Sequence, residues 1–299
     1  MLDVKLFGGT RIVTPAGPVE ANDLGGVKPR QILEILAISP GNPVSKERLA
    51  DLLWDGAPPR SWVGTLESYV CLLRRALRGT ERRPRAVVTV TRGYLLDRDV
   101  VRVDLAEFRA LRQVTSRDPL TAARQLESAV DLVTGELFPQ ESYASWAVHE
   151  RSVVTGELLA SATTAATLAL RAGEPDLAAR MARVAIQHDR IAEEAWRLLM
   201  EALWRSGRRS EAVRAYFDLR EVLDAELGTD PDAASQALYL SLLRDGDHHG
   251  GRVPDVDRRS EVRMLLSLLR DTIATVPGLQ VPREDRHMVE LAASLAFTA

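Results

Sequence analysis

The chain has 299 residues, is 45% hydrophobic and carries a formal net charge of −3, enough material for one or two buried cores. No run of eighteen apolar residues occurs, and the opening MLDVKLFGG lacks a basic stretch leading into an apolar one, so no membrane partner or export signal is expected and the protein is placed in the cytoplasm. A lone cysteine, Cys71, excludes an internal disulfide and a cysteine-based zinc site, and is expected as a small, semi-buried helix residue.

The charge is unevenly spread. Residues 1–103 hold 16 Lys and Arg against 11 Asp and Glu, which leaves 23 against 31 for the rest of the chain. A basic N-terminal part on an acidic body points to nucleic-acid binding by the first part alone. Only Lys5, Lys28 and Lys46 are lysines, an arginine bias typical of a GC-rich genome that says nothing about fold.

In chain order, Leu2, Val4 and Leu6 alternate and RIVTPAGPVE follows, which predicts short antiparallel strands broken by Gly8, Gly9, Pro15 and Gly17. A first helix is predicted over Lys28 to Ile38, with Ile32, Leu33, Leu36 and Ala37 inward. Ser45 is the expected N-cap of a second, with Leu49, Leu52 and Leu53 inward and Trp54 closing it as core. Pro58 and Pro59 break the chain before a third helix, Arg60 to Leu77, RSWVGTLESYVCLLRRAL.

Leu66, Val70, Leu73 and Leu77 form one stripe of a 3.6-residue period in this third helix. The opposite surface carries Arg60, Trp62, Thr65, Ser68, Arg74, Arg75 and Arg78, with Glu67 its single acid. GTERRPR and AVVTVTRGYLLDRD follow, the latter a hairpin turned at Arg92 and Gly93 with Arg82, Arg83 and Arg85 at its base. From Arg60 to Arg92 there are eight arginines against Glu67 and Glu81, a surplus that suits phosphate contact. Strands, three helices and a terminal hairpin make the order of a winged helix, whose third helix enters the major groove.

Asp104 with Glu107 resembles a capping box opening a helix through Val114, and Asp118 with Pro119 opens another. From Tyr143 to Arg244 the pattern is helical and repeats: Gly173 and Gly207 lie 34 residues apart, as do Ala178 and Ala212. Trp196, Leu199, Gly207, Ala212 and Tyr216 sit at tetratricopeptide offsets. Thr229, Asp230 and Pro231 are expected to start a capping helix through Leu243. Residues 245–257 read as a linker and 258–299 as a C-terminal helical hairpin. His248 and His249 lack the i, i+4 geometry of a metal pair, so no metal and no cofactor are expected.

LADLLWDGAPPRS before TLESYVCLLRRAL, TVTRGYLL after it, and the helical repeat behind them resemble the Streptomyces antibiotic regulatory proteins. The resemblance covers roughly residues 2–244. It implies an OmpR-type winged helix over residues 1–103, a tetratricopeptide-like bacterial transcriptional activation domain over 104–244, and a mainly α fold. It further implies a cluster-specific activator that binds direct repeats of promoter DNA near the −35 element as a head-to-tail homodimer. Its implied partner is RNA polymerase, through σ region 4 and the α C-terminal domain. Arg60, Trp62, Thr65, Ser68, Arg74, Arg75, Arg78, Arg82 and Arg92 become the implied DNA contacts. Gly64, Cys71 and Leu72 depart from the family's asparagine and serine-arginine pattern, and the wing's charge stands two residues nearer the tip at Arg92.

Enzymatic chemistry is not expected, for GxxxxGK, G-x-S-x-G and HExxH are all missing. A helical-repeat scaffold, or a ligand-responsive regulator with no direct activating role, is the rival; the arginine-rich third helix and wing tell against the scaffold. A phosphorylation-dependent response regulator is not expected either, since the sequence opens directly on the winged-helix strands.

Overall fold

A computed structural model describes residues 1–14, 17–78 and 86–244. Of these, the residues up to Leu242 fall in one unit. Arg82, Arg83 and Arg85, the 245–257 linker and the 258–299 hairpin lie outside the described residues.

The chain begins with strands β1 (Leu2–Lys5), β2 (Arg11–Thr14) and β3 (Gly17–Glu20), paired antiparallel in the predicted way. A 3-10 turn, Ala21–Leu24, leads into α1 (Val27–Ala37), and β4 (Val44–Ser45) leads into α2 (Lys46–Trp54). Ser45 caps α2 as expected, its hydroxyl accepting from the Arg48 N–H at 3.0 Å. Helix α3 (Trp62–Arg78) and hairpin β5 (Val87–Val90) to β6 (Gly93–Leu96) follow. The hairpin turns at Thr91 and Arg92, one residue before the predicted position, because Gly93 already pairs with Val90.

Strand β7 (Val101–Val103) then returns to the first sheet parallel to β1, giving the order β3-β2-β1-β7. The wing sheet is separate, with β6 central between β4 and β5. In the core of this part, Ile32, Leu33, Leu36, Leu49, Leu66, Leu73 and Leu96 are fully buried, which removes roughly 1.5–3 kcal/mol of unfavourable apolar hydration per side chain.

Helices α4 (Asp104–Leu111), α5 (Pro119–Asp131), α6 (Ser145–Arg171), α7 (Pro175–His188), α8 (Glu193–Arg205), α9 (Arg209–Leu227) and α10 (Ala233–Arg244) complete the unit. Asp118 caps α5 as expected, accepting from the Thr121 N–H at 2.8 Å. Asp104 does not cap α4 in the expected way. It is the first helical residue, is buried, and its carboxylate accepts from the Leu6, Phe7 and Leu105 N–H groups, tying α4 to the end of β1. Helix α4 also stops at Leu111 rather than Val114.

Consecutive helices α6 to α9 pack pairwise. Ala178 and Ala212 are fully buried, while Gly173 and Gly207 take positive φ of 77° and 75° where α6 and α8 end. Small side chains at the crossings and left-handed glycines at the turns are what a 34-residue repeat requires. Helix α10 begins just after the expected Thr229–Pro231 start, with the Asp232 carboxylate accepting from the Ser235 N–H at 2.7 Å. Helix α6 is long and apolar enough to cross a bilayer. Its Ala162, Ala165, Ala166 and Ala169 are buried in the helical layer, and its Glu150 and Glu157 pair with Arg109 of α4.

Candidate nucleic-acid interface

Helix α3 carries the predicted inward stripe: Leu66, Val70, Leu73 and Leu77 are at most 5% exposed. Around the rest of the helix, Gly64, Glu67, Ser68, Cys71, Leu72 and Arg75 are exposed. The middle of the outward face is therefore Gly64, Ser68, Cys71 and Arg75, spaced four, three and four residues apart. Cys71, expected to be semi-buried, stands on this face.

Thr65 and Arg74 do not share that central position. They are nine residues apart, two and a half turns, so they lie on opposite flanks, and both are half-buried. Arg74 was expected among the DNA-facing cations. Its guanidinium is turned to the wing instead: Nε donates to the Val87 carbonyl at 3.0 Å, Nη2 donates to Thr89 Oγ1 at 2.7 Å, and the group stacks over the Tyr94 ring at 5.7 Å. A planar, multiply donating cation is suited to bridging a strand edge and an aromatic face at once. Arg74 thus holds hairpin and helix in one orientation.

The remaining expected contacts divide by exposure. Arg60 is exposed in the turn just before α3, Arg75 is exposed on the central face, and Arg92 is exposed at the tip of the hairpin. Trp62, the first residue of α3, is half-buried. Thr65 and Ser68 donate their hydroxyl protons to the Ser61 and Gly64 carbonyls, at 3.1 and 2.9 Å. Each keeps oxygen lone pairs to accept with, and Thr65 keeps a methyl. Arg78 closes α3.

Lys46 and Tyr94 escaped the sequence reading. Lys46 Nζ donates to Glu67 Oε1 at 2.6 Å and lies 5.9 Å from the Tyr94 ring centroid, joining the start of α2 to the flank of α3. The Glu67 hydrogen bond holds the Lys46 ammonium above its ordinary pKa. Tyr94 is only 3% exposed. The sequence signal was faint: Lys46 and Tyr94 follow Ser45 and Gly93, the two residues paired across β4 and β6. Trp54, expected as core, is half-buried and stacks on Tyr69 of α3 with ring centroids 6.5 Å apart.

The site is fastened to the helical layer through α1. Glu141 is buried and accepts from Arg30 Nη2 and, at 2.6 Å, from Gln31 Nε2. Arg151 of α6 holds the same segment by donating to the Leu137, Phe138, Glu141 and Ser142 carbonyls. Arg109 of α4 donates to the Ile38 carbonyl at 3.3 Å while pairing with Glu150 and Glu157. Charged groups on both sides of the junction thereby oppose a sliding of α1 relative to α6.

Residues 25–96 match the family described as transcriptional regulatory protein, C terminal, and residues 99–243 match the bacterial transcriptional activator domain. Regulatory protein DnrI of Streptomyces peucetius is 34% identical over 248 residues, covering 76% of this chain and 89% of that protein. Transcriptional regulator RedD of Streptomyces coelicolor is 30% identical over 256 residues, covering 79% and 71%. Transcriptional regulatory protein MoaR1 of Mycobacterium tuberculosis is 30% identical over 244 residues, covering 76% and 78%. A solved structure of Mycobacterium tuberculosis EmbR in complex with a low-affinity phosphopeptide shares the fold, with a TM-score of 0.66 at 24% identity. That match covers 82% of this chain and 65% of the EmbR chain, so this chain spans just under two thirds of it. With both family matches in tandem and relatives such as DnrI and RedD covered over most of their length, the chain belongs to the Streptomyces antibiotic regulatory protein family of transcriptional activators.

Proposed function

We propose that the protein activates a secondary-metabolite gene cluster by binding direct repeats near the −35 element of its promoters and recruiting RNA polymerase. Residues 1–103 act as the DNA-binding domain and residues 104–244 as the activation domain, in the cytoplasm. The observation that carries this reading is the locking of the wing to α3 by Arg74, which presents the central face of the helix and the Arg92 tip as one rigid surface. A rigid surface enters a groove without the ordering cost a loose hairpin would add.

Exposure supports a division of labour for Arg60, Ser68, Arg75 and Arg92. Arg75, Arg92 and the Arg78 and Arg82 positions neutralise phosphates, giving salt-dependent affinity that tolerates sequence. Arg60, Thr65 and Ser68 stand nearest the N-terminal end of α3 and read bases, with Trp62 beside them. Because the two hydroxyl protons are already donated, Thr65 offers a methyl to thymine, and both side chains offer an acceptor to a base amino group. Arg75→Ala is expected to weaken binding to every duplex alike, and Arg60→Ala to relax preference at one base pair by roughly 1–3 kcal/mol. Titrations of both variants against matched and scrambled duplexes at fixed salt check the assignment, which fails if the two patterns are exchanged.

Direct repeats about one helical turn apart put successive protomers on one face of the duplex. The acidic helical layer of one protomer then lies near the basic winged helix of the next, and σ region 4 and the α C-terminal domain of polymerase meet the assembly from the promoter side. Sedimentation with a two-repeat duplex is expected to give two protomers per duplex at saturation. A single bound protomer there rules out the head-to-tail pair.

A further inference from the structure

Glu67 is the one acid on the outward surface of α3, and like-charge repulsion from a phosphate backbone makes a carboxylate there costly unless it is compensated. Its side chain is 53% exposed, so it is not retained for packing. Compensation is built in: Lys46 Nζ donates to Oε1 at 2.6 Å, while Oε2 accepts no hydrogen bond among the described residues. Glu67 precedes Ser68 and sits one turn before Cys71, at the border between the central face and the flank that carries the wing. An acceptor with a free oxygen, charge-balanced from behind and adjacent to the reading end, is what a base amino group would need.

We propose that Glu67 is a specificity-determining residue that selects cytosine at one position of the DNA site, with Lys46 as its positioning residue. The inference rests on the DNA-binding reading above. The major groove offers two amino donors, cytosine N4 and adenine N6. Adenine places its N7 acceptor beside N6, which repels a carboxylate, whereas cytosine has no neighbouring acceptor on its own ring edge. A carboxylate that can only accept therefore discriminates for cytosine. Lys46 both aims the group and cancels its charge toward the phosphates, so Glu67 adds selectivity without a general loss of affinity.

The test is selection of a randomised duplex pool by the full-length protein, the Glu67→Ala variant and the Glu67→Gln variant. The parent protein is expected to enrich a motif with one fixed cytosine, and replacing that C·G pair is expected to weaken binding roughly tenfold. Glu67→Ala should leave that position unspecified and every other position unchanged; Glu67→Gln, which donates as well as accepts, should shift it to adenine. A merely structural ion pair would lower affinity for all sequences and move no letter of the motif. If both variants enrich the parent's motif unaltered, the proposal is overturned while DNA reading by α3 stands. If the parent enriches no motif at all, the proposal falls together with the reading on which it rests.

Discussion

Gly93→Ala is expected to unseat the wing and abolish tight DNA binding. A Cβ at position 93 would lie 2.0 Å from the Val44 carbonyl oxygen, 2.8 Å from its carbon and 2.9 Å from Ser45 Cα, all backbone atoms of β4. Backbone held in a paired strand cannot step aside as a flexible side-chain end can, so β4 and β6 must separate. That separation breaks the Val44–Tyr94 and Ser45–Gly93 pairs, disturbs the Ser45 cap of α2 and moves Tyr94 away from Arg74 and Lys46. Overpacking of this kind costs about 1–3 kcal/mol, and contact with backbone places this case at the upper end. The urea midpoint should fall accordingly, and affinity for a cognate duplex should drop at least tenfold at constant salt, because helix and tip no longer share one orientation. Thr91→Ala, in the exposed turn of the same hairpin, should leave both quantities nearly unchanged. A Gly93→Ala protein with parental midpoint and affinity would contradict the role given to the β4–β6 contact.

The same contact separates what the sequence made readable from what it did not. Ser45 and Asp118 were recognisable as N-caps because a cap is a bond across three residues, local by construction. The Leu66, Val70, Leu73 and Leu77 stripe was recognisable because a period of 3.6 records one buried side. Helix α1 shows where that logic stops. Ile32, Leu33, Leu36 and Ala37 are expected inward and are, but Arg30, Gln31 and Glu34 are buried too, the first two by pairing with Glu141, some 110 residues later. Nothing near α1 announces that cover. The spacing of Asp104 to Glu107 is that of a helix cap, yet the long-range partners of its carboxylate, Leu6 and Phe7, are 98 and 97 residues away. Arg74 likewise lies in the predicted helix, and its turn toward the wing and away from the outward face depends on where a later hairpin folds back. Local chemistry locates the elements of the candidate site, and long-range pairing decides which cations stay on its outward face.

Raising the pH from 5 to 8 is expected to weaken the junction between the winged helix and the helical layer chiefly through Glu34, the group that burial shifts to about 7. Three ionisable side chains meet there: Arg30, Glu34 and Glu141, each at most 8% exposed. One guanidinium cannot balance two buried carboxylates, and the geometry favours Glu141, which also accepts from Gln31. Glu34 receives a hydrogen bond from Thr10 Oγ1 on Oε1, while its Oε2 is buried with no hydrogen-bond partner among the described residues. Burial pushes its pKa from 4.5 up to about 7, against the Thr10 bond and the Arg30 charge that pull it down. Below pH 4.5 the group is protonated in both folded and unfolded chains and costs nothing. Between about 4.5 and 7 the unfolded chain ionises while the folded one holds its proton, so stability falls as pH rises; above 7 the loss is complete, on the order of 3 kcal/mol. Glu34→Gln keeps the shape and removes the titration. Urea unfolding of the two proteins at pH 5 and pH 8 should find the variant gaining most of that difference relative to the parent at the higher pH. Parallel stability profiles for the two proteins across this range would mean that Glu34 ionises freely in the folded state, and that the junction is not held by a protonated carboxyl.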